Sequence, residues 1–223
     1  MESEENMRII LASASPRRKE LLGLTGWRME ICPVELDESP RQGEPAEALA
    51  RRLASAKAEA ALGIKPQARL MLAADTLVVD DDQILGKPAD EHDAQHMLMA
   101  LRDRSHRVIS ALDLRYNGQQ VVEICETIVP MRDFTLRQVQ AYIETGSPLD
   151  KAGAYGIQDR GFHPVAMERM KGCFANVMGL PLCHLVLAMH RVGLSPKDNV
   201  PLACQSFTSY DCSVYPAILR GVI

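Results

Sequence analysis

Residues 7–22 have the sequence MRIILASASPRRKELL, in which a short apolar run is followed at once by a helix-start signal. The run MRIILA is long enough for one buried strand. Ser15 is a favoured N-cap residue and Pro16 is favoured at the first helical position, so we predict that a helix begins there. A strand joined to a helix by such a short turn is the repeating unit of an α/β fold.

The alternation of strands and helices continues through most of the chain. Further strands are predicted over residues 31–33, 70–79, 107–116, 120–130 and 165–170. Further helices are predicted over residues 45–62, 90–101 and 182–191, and over a segment that begins at Thr135. The Asn117-Gly118 pair is a strong signal for a hairpin between two of these strands.

The character of the chain changes after residue 194. Pro196, Pro201 and Pro216 interrupt the last segment, and no long amphipathic period remains there. We therefore predict one domain over residues 1–194 and an appended tail over residues 195–223 without a core of its own. A dimer strap, a lid and a disordered segment would each fit such a tail.

The 223-residue chain has 47% hydrophobic residues and a net charge of −4. This balance gives no overall attraction to nucleic acid or to an anionic membrane, so any phosphate must be bound by a local cluster. There is neither an apolar run of about 18 residues nor a basic and apolar leader at residues 1–6, so we expect no membrane span and no signal peptide. The six cysteines form no CxxC pair, which argues against a zinc knuckle and suits a reducing cytoplasm.

Arg17 and Arg18 stand in the first turn of the helix that begins after Ser15. Free N–H groups and the positive end of the helix dipole make such a start an anion site, and guanidinium groups add paired phosphate donors. Because cations at that end of a helix are unfavourable by roughly a few tenths of a kcal/mol, a bound anion should compensate. The alternative is a capped surface helix with two solvated arginines.

Asp75 interrupts the apolar strand LMLAADTLVV. A buried carboxylate is costly unless it has a partner or binds a metal. Lys57 shares a helix face with Leu49 and Leu53, so it either reaches outward to solvent or serves a buried anion. Two alternatives for Asp75 follow: a structural pair with a core lysine, or a place in a metal or catalytic site.

Three further residues are candidates for the same site. Glu38 ends an acidic loop and, together with Asp75, could hold Mg²⁺, which takes oxygen ligands and shares them with substrate phosphates. Lys87 is held at a strand end by the rigid Pro88. Gln158 closes the small-residue stretch GAYGIQ, where the backbone can approach a ligand and the amide can pair with a base edge. Taken alone, each of the three also fits a solvated surface position.

The order of these segments resembles the Maf family of house-cleaning nucleotide pyrophosphatases. The resemblance covers about residues 7–194 and is carried by LASASPRRKELL, ELDE, RLASAKAEA, AADTLVV, GKP, DKAGAYGIQ and NVMGLP. It implies a fold similar to that of Ham1 and the inosine triphosphate pyrophosphatases. In such a fold an elongated mixed sheet is flanked by helices, and two lobes enclose a central cleft.

The resemblance also implies a hydrolase that cleaves the α–β phosphoanhydride bond of a nucleoside triphosphate with Mg²⁺ or Mn²⁺, often as a homodimer. Asp75 matches the proton acceptor of the family, and Glu38 matches an acidic position that is suited to a metal ligand. The positions that contact the triphosphate match Ser13, Arg17, Arg18, Lys57 and Lys87.

Within the family, the motif DKAGAYGIQ looks like that of the dTTP/UTP-type subgroup, whose base-selecting positions match Arg17, Thr76 and Gln158. The Gln158 amide can pair at once with a carbonyl and the N3–H group of a pyrimidine. The chain departs from the family at Asp159 and Arg160, where glycines are usual, so modified or other nucleotides stay open as substrates. A regulator of cell division that binds nucleotides without hydrolysing them is the remaining alternative.

Overall fold

The computed structural model describes residues 7–222. Residues 1–6, where we expect no signal peptide, lie outside the described residues, as does residue 223. Within the described part of the chain, no helix combines the length and the apolar character that crossing a membrane requires.

A mixed sheet of six strands organises the molecule. The strands are β1 (Arg8–Leu11), β2 (Arg28–Ile31), β3 (Leu70–Asp80), β4 (Gln83–Leu85), β5 (Ser105–Tyr116) and β6 (Gln119–Pro130). Their spatial order is β2-β1-β3-β5-β6, and β4 pairs with the end of β3. β1 runs parallel to both β2 and β3, whereas β3-β4, β3-β5 and β5-β6 are antiparallel pairs.

Helices flank this sheet, which confirms the predicted α/β class. They are α1 (Pro16–Gly23), α2 (Ala46–Ile64), α3 (Glu91–Leu101), α4 (Leu136–Ile143), α5 (Phe174–Met178), α6 (Leu182–Arg191), α7 (Val200–Thr208) and α8 (Tyr215–Leu219). Ser15 caps α1 by accepting a hydrogen bond from the backbone N–H of Arg18. Thr135 and Gln138 form a capping box at the start of α4.

Alternate residues of β3 point to opposite faces of the sheet. Leu77 belongs to the apolar cluster that includes Leu49 of α2. Leu72 belongs to the larger cluster on the other face, to which α3 and α6 contribute. Because side chains alternate along a strand, Asp75 points to the α2 face and Thr76 to the opposite face.

The segment after β6 differs from the sequence prediction. The strand predicted over residues 165–170 is wrong, because Val165 forms only an isolated bridge with Met131 and turns follow it. The sequence also gives no signal for α5, since its five residues are too few to display a helical period.

The described part of the tail, residues 195–222, packs against the rest of the chain through α7 and α8. Val200 is fully buried and belongs to the larger apolar cluster. Ile218 is almost fully buried, and its neighbour Leu219 packs against the same cluster. The indole N–H of Trp27 donates a hydrogen bond to the backbone carbonyl of Ser195 at 2.9 Å. Pro201 and Pro216 lie in the first turns of these two short helices instead of preventing them, whereas Pro196 lies before both.

Candidate active site

An opening forms beside β3 because its neighbour β1 is much shorter. β1 ends at Leu11, which is paired with Leu72, whereas β3 continues to Asp80. On the same side, β4 pairs only with the last residues of β3. The chain turns into α1 directly after β1, and Arg18 of α1 reaches Thr76, so polar side chains meet the middle of β3 there.

The carboxylate of Asp75 lies at this opening and is 5% exposed. Lys57 of α2 places its Nζ atom 2.5 Å from Asp75 Oδ1 and 2.6 Å from Glu38 Oε1. Lys57 is also buried, whereas Glu38 is exposed. One ammonium group therefore compensates two carboxylates, and Asp75 has the core lysine that one of the two alternatives predicted.

Arg18 of α1 approaches β3 with three side-chain hydrogen bonds. Its Nε donates to the Gly179 carbonyl at 2.9 Å, its Nη1 to Ser13 Oγ at 3.2 Å and its Nη2 to Thr76 Oγ1 at 3.1 Å. Burial lowers the pKa of Arg18, and the negative charge of Asp75 opposes that shift. The helix start and the buried carboxylate thus interact electrostatically within one site.

The side chain of Arg17 contacts the segment of residues 150–158, which carries Gln158. Its Nη1 donates to Asp150 Oδ2 at 3.1 Å, and Asp150 Oδ1 lies 2.7 Å from Lys151 Nζ. Although burial raises the pKa of Asp150, these two ion pairs lower it overall. Lys151 Nζ also lies 3.5 Å from Asp159 Oδ2, and Asp159 Oδ1 accepts a hydrogen bond from Gln158. A continuous series of polar contacts therefore joins Arg17 to Gln158.

The segment that carries Gln158 packs against β3 and the loop of Lys87. The backbone N–H of Gly153 donates to the carbonyl of Gly86 at 3.0 Å. Gly153 has a φ of +69°, and a Cβ atom there would lie 3.0 Å from Val78 Cγ1. Only glycine combines this conformation with so close an approach. Lys87 is exposed next to this contact.

The site residues expected from the sequence fall into three groups around β3. Direct contacts join Asp75, Lys57 and Glu38. Direct contacts also join Arg18, Ser13 and Thr76. Arg17 and Gln158 are linked through other residues, and Lys87 stands beside the glycine contact that anchors their segment.

A second layer of polar groups behind Thr76 was not singled out from the sequence. Ser110 Oγ lies 2.8 Å from Thr76 Oγ1 and 3.2 Å from the carbonyl of Asn176, to which it donates. The fully buried Asn176 donates its amide to Thr127 Oγ1 at 3.0 Å. The sequence signal for this layer is that Ser110 and Thr127 interrupt apolar strands, but it does not indicate which helix meets them.

Glu38 and Asp75 are the residues that suit a divalent cation. Their oxygens converge on one point, since both lie within hydrogen-bonding distance of the same Nζ atom of Lys57. No group of three or more His, Cys, Asp or Glu side chains among residues 7–222 is arranged to hold a metal ion. Two carboxylates fit Mg²⁺, which completes its coordination with phosphate oxygens and water.

Comparison with known proteins shows which proteins the chain is similar to. A family model described as Maf-like protein matches residues 8–192. A dTTP/UTP pyrophosphatase of Dehalococcoides mccartyi is 44% identical over 195 residues, which cover 86% of either chain. A dTTP/UTP pyrophosphatase of Methylococcus capsulatus is 44% identical over 190 residues, covering 85% of this chain and 93% of the other. The solved Ham1 protein of Staphylococcus aureus has a TM-score of 0.39 and 14% identity, covering 56% of this chain and 72% of that one.

Proposed function

The chain belongs to the Maf family, and from that premise we propose that it hydrolyses dTTP and UTP to the monophosphate and pyrophosphate. Two relatives that are 44% identical carry the name of this activity. The observation that carries the proposal is the buried carboxylate of Asp75, which has Lys57 within 2.5 Å and the charge of Arg18 close by. This arrangement suits a nucleophilic water on one side of Asp75 and a polyphosphate on its other side.

The cationic side chains around the opening suit the triphosphate. Negative charge grows on the leaving pyrophosphate in the transition state, so fixed cations stabilise that state more than the ground state. Arg18 has five N–H donors, of which three are bonded within the protein, so donors remain for a phosphate oxygen. The groups assigned to the triphosphate are Ser13, Arg17, Arg18, Lys57 and Lys87.

We assign to Asp75 the role of accepting a proton from the attacking water. Lys57 holds Asp75 Oδ1 at 2.5 Å, and no described residue forms a hydrogen bond with Oδ2. The free oxygen can therefore orient a water molecule and accept its proton while the ammonium compensates the carboxylate charge. Lys57 therefore acts as a positioning residue, because its bond to Oδ1 fixes the direction in which Oδ2 points.

A divalent cation, Mg²⁺ or Mn²⁺, belongs to the proposal, with Glu38 and Asp75 as its ligands. When bound, such an ion polarises the phosphoryl group and neutralises part of its charge. The support for this assignment is the convergence of two carboxylates, one of them exposed, beside the cationic side chains. Lys57 contacts both carboxylates, so it must share them with the ion or turn towards the phosphates.

Base preference is assigned to Arg17, Thr76 and Gln158. The hydroxyl of Thr76 contacts Arg18 and Ser110, so Thr76 acts by holding the groups around it. Gln158 presents an amide, and three ion pairs and one hydrogen bond link it to Arg17. A pyrimidine with an N3–H group and two carbonyls matches the paired donor and acceptor of an amide.

We further propose a homodimer in the cytoplasm. The family resemblance supports the dimer, and the six free thiols of the chain suit a reducing compartment. Light scattering on the purified protein tests the first part. A mass of one chain at micromolar concentration would remove the dimer from the proposal without affecting the chemistry.

The deciding experiment is a pyrophosphate-release assay with UTP, dTTP, CTP, 7-methyl-GTP and ITP, each with and without Mg²⁺ or Mn²⁺. We expect release from UTP and dTTP, loss of release on chelation and its return on adding either ion. Preferred release from 7-methyl-GTP or ITP would keep the chemistry and change the substrate. Nucleotide binding without any release would favour the non-catalytic regulator and overturn the proposal.

A further inference from the structure

The side chain of Gln158 is held by its neighbour Asp159. Gln158 Nε2 donates a hydrogen bond to Asp159 Oδ1 at 3.0 Å. The other carboxylate oxygen, Oδ2, accepts from the hydroxyl of Tyr142 at 2.5 Å and from the hydroxyl of Ser147 at 2.7 Å. The ammonium of Lys151 lies 3.5 Å from the same oxygen. Asp159 is thus surrounded by donors on both of its oxygens.

The carboxylate of Asp159 decides which end of the Gln158 amide faces it. An ionised carboxylate only accepts hydrogen bonds, so the amide nitrogen must face it and the amide oxygen must point away. Burial, followed by the hydrogen bond to Asp159, raises the pKa of Tyr142, so its hydroxyl keeps its proton and donates. Turning the amide over would place Gln158 Oε1 against Asp159 Oδ1, and both are acceptors.

The backbone at Gly156 leaves room for this contact. A Cβ atom at Gly156 would lie 2.5 Å from Asp159 Oδ1 and 2.8 Å from Gln158 Nε2. The N–H of Gly156 donates to the hydroxyl of Tyr142 at 3.2 Å, which fixes the loop to the same residue that holds Asp159. Gly156 therefore leaves space for the bond between Gln158 and Asp159, and the loop that carries both residues is attached to Tyr142.

An amide with a fixed orientation distinguishes uracil and thymine from cytosine. Uracil and thymine present an N3–H donor between two carbonyl acceptors, whereas cytosine presents an N3 acceptor beside an amino donor. An outward Oε1 and the remaining N–H of Gln158 pair with the first pattern and oppose the second. Only an amide that can turn over would accept both patterns.

We propose that Asp159 is a specificity-determining positioning residue, which locks the Gln158 amide in the orientation that selects uracil and thymine against cytosine. This inference rests on the proposed function, since it concerns the base of the same triphosphate substrate.

The test compares kcat/KM for UTP and CTP in the wild type and in Asp159→Asn. Asparagine offers an N–H donor as well as an acceptor, so Gln158 can turn its amide over. We expect the UTP-to-CTP ratio to fall by at least about tenfold, chiefly through a lower KM for CTP. The matched control is Ser147→Ala, which removes a donor to Asp159 Oδ2 and leaves the bond to Gln158, so its ratio should stay at the wild-type value.

The outcomes separate this inference from the proposed function. A wild type that releases no pyrophosphate from any pyrimidine nucleotide would contradict the function itself. A wild type that hydrolyses CTP as well as UTP would overturn the role of Asp159 without the need for a variant. An active Asp159→Asn protein with an unchanged ratio would overturn it too, and a thermal melt of each variant checks that the compared proteins are folded.

Discussion

At the scale of single residues, Asp75 is a buried carboxylate with one oxygen bound to Lys57 and the other without a hydrogen bond to any of residues 7–222. Replacing Asp75 with Asn removes the negative charge and the proton acceptor while keeping the shape. We expect kcat for pyrophosphate release to fall by about 10²–10⁴-fold, the usual effect of removing a general base. Asp81→Asn is the control, because Asp81 is 84% exposed and pairs with Arg104 outside the site. Near wild-type turnover of Asp75→Asn would end the assignment of Asp75.

Lys57 can be tested separately for stability and for catalysis. Lys57→Met leaves Asp75 buried without its partner, so we expect the free energy of unfolding to drop by about 3–5 kcal/mol. Adding Asp75→Leu should restore most of that stability while the protein stays inactive, since an apolar pair replaces the buried ion pair. Denaturant titration measures both effects.

The matched control for Lys57 is Lys65→Met. Lys65 forms an exposed ion pair with Glu30, and such pairs contribute far less to the free energy of unfolding than a buried pair does, because water screens both charges. A Lys57→Met protein as stable as the Lys65→Met protein would contradict the burial of the Lys57–Asp75 pair.

His106 gives the fold a dependence on pH. Burial, with a smaller contribution from Arg104, lowers the pKa of His106 from 6.5 to about 4. Between these pH values the unfolded chain binds a proton that the folded chain does not, so stability falls as the pH drops from 6.5 towards 4. The loss from this residue should reach about 3 kcal/mol at the acid end.

His106→Gln should flatten this dependence, because glutamine does not titrate and can still bond to the hydroxyl of Tyr155, the partner of His106. His92→Gln, at an exposed position, serves as the control and should keep the slope of the wild type. Equal slopes for the wild type and His106→Gln in thermal melts between pH 7 and 4 would be the contrary result.

The sequence predicts single residues where the local pattern makes their type unexpected. Asp75 stands out within an apolar strand, and Lys57 stands out on an apolar helix face. Asn176 gives no such signal, because its partner Thr127 comes next to it only once the chain is folded. Asp159 is noticed only as a departure from the family, and its contact with Tyr142 likewise depends on folding. The spacing of residues along the chain does not show which distant segments come into contact.

At the scale of elements, the helices with explicit start signals begin where the sequence indicates. Ser15 and Pro16 open α1, and Thr135 with Gln138 opens α4, because these side chains bond to the first free N–H groups of the helix. The hairpin at Asn117-Gly118 also forms, since both residues adopt the positive φ values that its turn requires. The residues at a helix start or in a turn therefore decide where these helices and strands begin and end.

Elements that depend on tertiary packing are less visible in the sequence. β2 lies over Arg28–Ile31, about three residues before the predicted position, because its pairing with β1 sets its limits. The strand predicted over residues 165–170 does not form, and α5, α7 and α8 are too short or too interrupted to show a period. Their positions depend on the core that they cover.

The tail helices offer a test at this scale. Ile218 of α8 is 3% exposed, so Ile218→Ala should lower the free energy of unfolding by about 2–5 kcal/mol, as for other buried aliphatic residues. Leu202→Ala, at a position of α7 that is 61% exposed, should change it by no more than about 0.5 kcal/mol. Equal effects in denaturant titrations would show that the tail does not pack as part of the core.

At the scale of the whole molecule, the mixed sheet explains why the site exists. β1 stops early while β3 continues, so the start of α1 meets the middle of β3. Strand and helix periods predicted the α/β class because they are local, and the resemblance of the ordered motifs predicted the family. The opening could not be predicted from periodicity, since it depends on the register between β1 and β3.

The most direct measurement is a crystal structure with Mn²⁺ and a UTP analogue in which a methylene group replaces the α–β bridging oxygen. We predict that the analogue's phosphates lie between Asp75 and the Arg17–Arg18 turn, with an anomalous manganese peak beside Glu38 and Asp75. Phosphates bound elsewhere on the protein, with Asp75 still enclosed by Lys57 and apart from the ligand, would contradict the account.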